Sequence, residues 1–148
     1  MIRKRCSVYK VIMISVAYVD KDSYFVKLHL AGPAGLNTFT GYGLGYVNVN
    51  AECREKSIVV LPHQLLLDCP PSCFEELSAS HLQELLALRP QIVLLGTGEQ
   101  QRFPRAEVTH PLVEAGIGGE AITTQAACRT YNTLVVEERR VAATLLLA

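Results

Sequence analysis

Gly116-Ile117-Gly118-Gly119-Glu120-Ala121-Ile122-Thr123-Thr124, followed by Gln125-Ala126-Ala127-Cys128-Arg129-Thr130-Tyr131-Asn132-Thr133-Leu134 and closed by the aliphatic run Val141 to Leu147, is the stretch from which the fold is read. The glycine cluster opens into a short apolar run, and the threonine pair is able to cap a helix whose first turn carries small residues. A final β-branched and aliphatic run follows. The order strand, helix, strand is one crossover unit of a parallel sheet.

Working upstream, Ala106 to Ala115 reads as a helix ended by Gly116, with Pro111 an objection to its full length because proline lacks an N–H and crowds the preceding turn. Gln91-Ile92-Val93-Leu94-Leu95, closed by Gly96-Thr97-Gly98, has the continuous apolar character of a strand buried on both faces. Ser72 with Glu75, and Ser80 with Gln83, form capping-box patterns, which place a short helix near Ser72 to Leu77 and a better one from His81 to Leu88, before Pro90. Cys69-Pro70-Pro71-Ser72-Cys73 breaks the chain. Ahead of it, Phe39 to Val49 alternates as one strand, bent or closely approached at Gly41, Gly43 and Gly45. Asn50 to Glu55 turns the chain, and Ser57 to Leu61 pairs back as the second strand of an antiparallel hairpin. Leu65 to Leu67 adds a short third strand, and Ala31 to Asn37 is a surface loop. Helix and strand alternate from Pro71 onwards, so the expected fold is an α/β domain around a mixed, largely parallel sheet, with an N-terminal antiparallel hairpin.

At 148 residues the chain supports one domain, assigned to residues 26–148. Residues 1–25 form an extension. Arg3-Lys4-Arg5 and the apolar run Val11 to Val19 mimic a secretory signal, but Lys10 interrupts the pattern and no small-x-small cleavage site precedes Asp20. An extra strand, a disordered arm or a start assigned too far upstream accounts for it better. The run is about half the length of a membrane span. Acidic and basic residues balance at 14 each, and no basic stripe with interleaved aromatics is present, so nucleic acid and membrane insertion are both disfavoured. Five cysteines, odd in number and scattered, read as reduced thiols in a cytoplasmic protein.

Gly96-Thr97-Gly98 after a buried strand invites a dinucleotide-binding reading, with Glu120 as the ribose acid. Gln101 stands where the third glycine belongs, and Phe103-Pro104 occupies what should be helix, so that reading fails. Cys128 near a helix start beside Arg129 has two features that lower a thiol pKa, yet no histidine is placed to serve it, and a buried structural role fits better. Cys69 and Cys73 have no second ligand pair, and no metal or cofactor is expected. Arg129 and Asn132 share a helix face with Gln125 and Cys128. They are expected to satisfy nearby loop backbone and Glu120. If the strands at Ile92 and Glu120 are parallel neighbours, Thr97, Gly98, Thr123, Thr124 and Arg129 gather at their carboxyl ends as a candidate pocket, where open α/β sheets place ligands.

Leu94 to Gly98, Gly116-Ile117-Gly118 with Glu120, Ala126 to Asn132 and Arg139-Arg140-Val141-Ala142-Ala143 together resemble a small domain of unknown function. That domain is shared by bacterial and archaeal proteins and by the mitochondrial complex I assembly factor three. The likeness runs from about Lys27 to the C-terminus. It implies a three-layer α/β fold, a structural motif of Gly96, Glu120, Cys128, Asn132 and Arg140, and no established catalytic activity. Two departures stand out. Ile122 and Thr123 replace the family's methionine and aspartate before Thr124, and Glu138 replaces a glycine at the last helix's end, where a left-handed cap strains any side chain. The functional expectation is a non-enzymatic, assembly-factor-like domain that works through an unidentified protein partner. The alternative is an anion or small-molecule binder, or an enzyme, using the crevice. Oligomeric state is left open by the sequence.

Overall fold

The computed structural model describes residues 26–27, 35–67 and 71–147. The extension 1–25, most of the turn-rich stretch before Asn37, and Cys69 lie outside the described residues. In chain order the elements are β1 (Val26–Lys27), β2 (Phe39–Gly43), β3 (Tyr46–Val49), β4 (Glu52–Arg54), β5 (Ile58–Leu61), β6 (Gln64–Leu66), a 3-10 turn (Phe74–Glu76) and α1 (Ala79–Leu86). They continue with β7 (Ile92–Gly96), α2 (Ala106–Glu114), β8 (Gly118–Ile122), α3 (Thr124–Val136) and β9 (Val141–Leu145).

Two sheets result. The first is antiparallel, in the order β1-β2-β3-β4, and the second is mixed, in the order β6-β5-β9-β7-β8. In the second, β7 is parallel to both β8 and β9, and β5 is antiparallel to β9 and β6. The stretch Gly116 to Leu147 is the crossover that was read from it, with β7 lying between the two strands it connects.

Three local expectations are corrected. Phe39 to Val49 is two strands with a turn at Leu44-Gly45, where Gly45 takes a φ of 76° that only glycine adopts without cost. Asn50 and Ala51 also have positive φ, as in the tight turns that suit hairpins, so the polar segment becomes a second hairpin into β4. Ser57 to Leu61 does not pair with this unit. It joins the other sheet at β9, because its two apolar faces both need cover and only the larger sheet has helices on one side and the first sheet on the other.

The α1 helix begins one pattern earlier than expected. Ser78 is the N-cap, and its N–H donates to His81 Nδ1 at 3.1 Å, in place of the Ser72/Glu75 and Ser80/Gln83 pairs. Pro111 stays inside α2 without ending it. Cys53 is disulfide-bonded, which corrects the expectation of five free thiols, since spacing along the chain does not show which sulfurs fold within bonding reach. Cys73 and Cys128 are free.

Burial follows strand alternation. Leu94, Val141, Ala143 and Leu145 face α3 and the first sheet, packing with Phe39, Tyr42, Val47, Val49, Cys128, Tyr131 and Val135. Val93, Leu95 and Ala142 face the other way, onto Leu82 and Leu85 of α1 and Val108 and Leu112 of α2. The α3 helix is shared by both sheets: Ala127 and Cys128 are small enough to let it lie close, and Tyr131 meets Phe39 edge-on with ring centroids 5.0 Å apart.

Candidate functional site

The carboxyl ends of β7 and β8 meet the start of α3. Thr97 N–H donates to the Ile122 carbonyl (2.9 Å), and Thr124 N–H donates to the Gly98 carbonyl (2.9 Å). The Thr124 hydroxyl accepts from Gly98 N–H (3.0 Å). Thr97 Oγ1 donates to the Gln100 carbonyl (2.8 Å), with the Ile122 carbonyl 3.2 Å away, and accepts from Arg102 N–H (3.0 Å). The Thr123 side chain caps α3 by accepting from Ala126 N–H (3.2 Å). Gly96 has no room for a side chain: a Cβ there would lie 2.6 Å from Leu145 Cδ2 and 3.2 Å from Thr124 Cα.

A crevice of about 380 Å³ does open here, lined by Thr97, Gly98 and Thr124 with Glu99, Gln100, Arg102, Gln125, Leu146 and the Gly43 to Gly45 turn. Thr123 and Arg129 are not part of it. Arg129 points to the first sheet, where Nη1 donates to the Tyr42 hydroxyl (2.8 Å) and the guanidinium lies 5.9 Å from that ring's centre. Arg102, on the rim, is held by Glu75 at 2.6 Å. The Thr97 hydroxyl is thus committed to internal hydrogen bonds as donor and acceptor, and the Thr124 hydroxyl as an acceptor.

Asn132 and Arg140 of the motif brace the fold, whereas Glu120 makes no side-chain hydrogen bond or ion pair among the described residues. Asn132 is fully buried; its Nδ2 donates to the Phe39 carbonyl (2.7 Å) and its Oδ1 accepts from Phe39 N–H (2.9 Å), so one side chain completes the backbone pairing of β2. Tyr131 donates its hydroxyl to the Asn37 carbonyl (3.0 Å). Neither Arg129 nor Asn132 reaches Glu120, and the backbone they satisfy or brace is strand β2 and its approach. Arg140 Nε donates to the Arg89 carbonyl (3.1 Å), fixing the loop after α1 to the start of β9. Cys128 is sealed from solvent, and burial pushes its thiol well above the ordinary range against the smaller opposing pull of Arg129, so it rests as the unreactive thiol.

A second groove was not anticipated. It has a volume of about 320 Å³ and lies between β8, α2 and the loop before α2, with Leu112, Ile117, Gly119, Glu120 and Ala121 in its walls and Phe103 and Val113 on its rim. The clue in the sequence was Val113, which falls off the buried stripe of Val108 and Leu112, together with a phenylalanine in a loop.

A profile of a protein family described as "Protein of unknown function (DUF498/DUF598)" matches residues 39–146. A crystal structure of a Bordetella parapertussis protein superposes with a TM-score of 0.73 at 41% identity, covering 78% of this chain and all of that one. The "13 kDa major membrane protein" of Francisella tularensis is 40% identical over 67 residues, 45% of this chain and 54% of that protein. The "NADH dehydrogenase [ubiquinone] 1 alpha subcomplex assembly factor 3" of Danio rerio is 34% identical over 101 residues, 67% of this chain and 58% of that protein. The chain therefore spans little more than half the length of these two relatives.

Proposed function

The chain belongs to the DUF498/DUF598 family of proteins of unknown function, and from that premise we propose that it is a non-enzymatic domain that works by binding another protein, as an assembly factor does. The observation that carries this reading is that the polar side chains singled out in the sequence are held within the fold: Thr97, Thr124, Arg129 and Asn132 all make internal hydrogen bonds, and Arg129 and Asn132 lie outside the crevice. Cys128, the one nucleophile in the family-like motif, is buried and protonated. Biogenesis of a respiratory complex is the process we infer by analogy with the zebrafish relative's name. A cytoplasmic site of action belongs to the same proposal; among the described residues no helix is long and apolar enough to cross a membrane.

Chemical cross-linking of the tagged chain in its own host, followed by purification and mass spectrometry, tests the proposal. A stoichiometric protein partner is expected. The other reading, an anion or small-molecule binder at the crevice, is favoured by that cavity's polar rim of Glu99, Gln100 and Gln125. Amide shifts at Thr97, Gly98 and Thr124 on titration with millimolar phosphate, with no partner recovered, would reverse the ranking.

A further inference from the structure

β8 is an edge strand: it pairs with β7, and among the described residues nothing pairs with its other side. Gly118 N–H donates to the Gln91 carbonyl, and the Ile122 carbonyl accepts from Thr97 N–H. Backbone direction alternates along a strand, so residues 118, 120 and 122 turn toward β7, and Gly119 and Ala121 present their N–H and C=O groups outward. One of these four groups, the Ala121 carbonyl, accepts from the side-chain amide of Gln101 at 2.8 Å, a contact of the kind an added strand would make. Edge strands are normally protected by charged side chains, above all lysine, by proline, by a bulge or by a covering loop. β8 has no lysine, proline or bulge and its register against β7 is unbroken, which leaves Glu120 and the single Gln101 contact as its protection among the described residues.

The side chains beside this edge are equally open. Gly119 and Ala121 leave a shallow floor above Leu112, and the groove rim carries Phe103 and Val113, 76% and 70% exposed, the two most exposed large hydrophobics among the described residues. Glu120, paired with Leu94, turns its side chain to the opposite face of β8 from Gly119 and Ala121, and no ion pair or hydrogen bond holds its carboxylate among the described residues.

We propose that the open edge of β8 accepts an extended segment of a partner protein as a sixth strand, with the side-chain pattern apolar, basic, apolar. Residues opposite one another on adjacent strands share a face. The two apolar side chains therefore sit over Gly119 and Ala121 in the groove, and the basic one between them meets Glu120. A second copy of the chain fits poorly. Two-fold antiparallel pairing centred on this five-residue strand sets Glu120 against Glu120, and like charges directly opposed are destabilising. The proposal rests on the protein-partner reading above and names the surface that serves it.

The test is amide exchange and NMR titration of the full chain with two blocked heptapeptides, one centred on Val-Lys-Val and the other on Val-Glu-Val. In the free protein, Gly119 and Ala121 amides should exchange quickly and those of Glu120 and Ile122 slowly; the lysine peptide should protect the first pair. The glutamate peptide should bind about tenfold more weakly, because attraction is exchanged for repulsion across one pair, and Glu120→Lys should invert that order. Phe103→Ser with Val113→Ser, both at exposed positions, should weaken binding and leave the exchange pattern of α3 intact. No shift with either peptide at millimolar concentration would overturn the proposal, as would protection of Gly119 and Ala121 in the free chain that grows with protein concentration. A captured partner whose cross-links avoid Phe103 and β8 would remove this surface and leave the protein-partner reading standing.

Discussion

Glu138 shows what a single residue costs this fold. The last helix ends in the arrangement glycine usually serves: Glu138 N–H donates to the Val135 carbonyl (3.0 Å), Arg139 N–H donates to the Leu134 carbonyl (2.9 Å), and Glu138 takes a φ of 60°. The strain expected of a side chain at this cap is borne because two hydrogen bonds on helix-end carbonyls outweigh it. Glu138→Gly is therefore expected to stabilise the protein by about 1 kcal/mol, seen as a higher urea midpoint at unchanged slope. Cys128 gives a second residue-scale prediction. Its folded pKa lies above the 9.0 of an open thiol, so the unfolded chain loses this proton first as pH rises. The stability contribution is complete below about pH 9 and declines above it, and Cys128→Ala should flatten that decline in chemical denaturation series. The native thiol should also resist alkylation until the chain unfolds.

At the scale of elements, the close passage of β7, β9 and α3 at Gly96 is the tightest join. Gly96→Ala places a methyl group against Leu145 and the Thr124 backbone and is expected to destabilise by about 1–3 kcal/mol, measurable by urea unfolding. Elements were legible where their signals are local. The glycine turn, apolar run, threonine cap and final aliphatic run of Gly116 to Leu147 identify β8, α3 and β9 within a few neighbours of each residue. The β2 to β3 hairpin was hidden because alternating Gly41, Gly43 and Gly45 imitate a single pleated strand, and Leu44-Gly45 lacks the Asn-Gly or Asp-Gly signal of a tight turn. Ser78 and Ser80 compete for the same helix start, and His81 is not the glutamate or glutamine by which a capping box is recognised. The candidate site was legible to the same degree: Thr97, Gly98 and Thr124 follow from parallel neighbours, but the direction of Arg129 depends on Tyr42, 87 residues away.

Across the whole molecule, α3 joins two sheets that the chain builds at opposite ends. Phe39 and Asn132 are 93 positions apart, and β5 finds its partner β9 only at the C-terminus, so sheet membership could not be read from neighbouring residues. Arg129, Tyr131 and Asn132 each reach from α3 to the first sheet or its approach, within a single turn of helix. That geometry makes these three residues a brace, and the recognition we propose falls to the molecular surface, where the β8 edge and its groove are open among the described residues. Equilibrium urea unfolding of Asn132→Ala, followed by amide signals in β2 and in β9, tests the brace most directly. Leaving the Phe39 N–H and carbonyl without partners should cost about 2–4 kcal/mol, with both sheets losing protection in one shared transition. Unchanged stability, with β2 and β9 melting independently of this residue, would contradict the account.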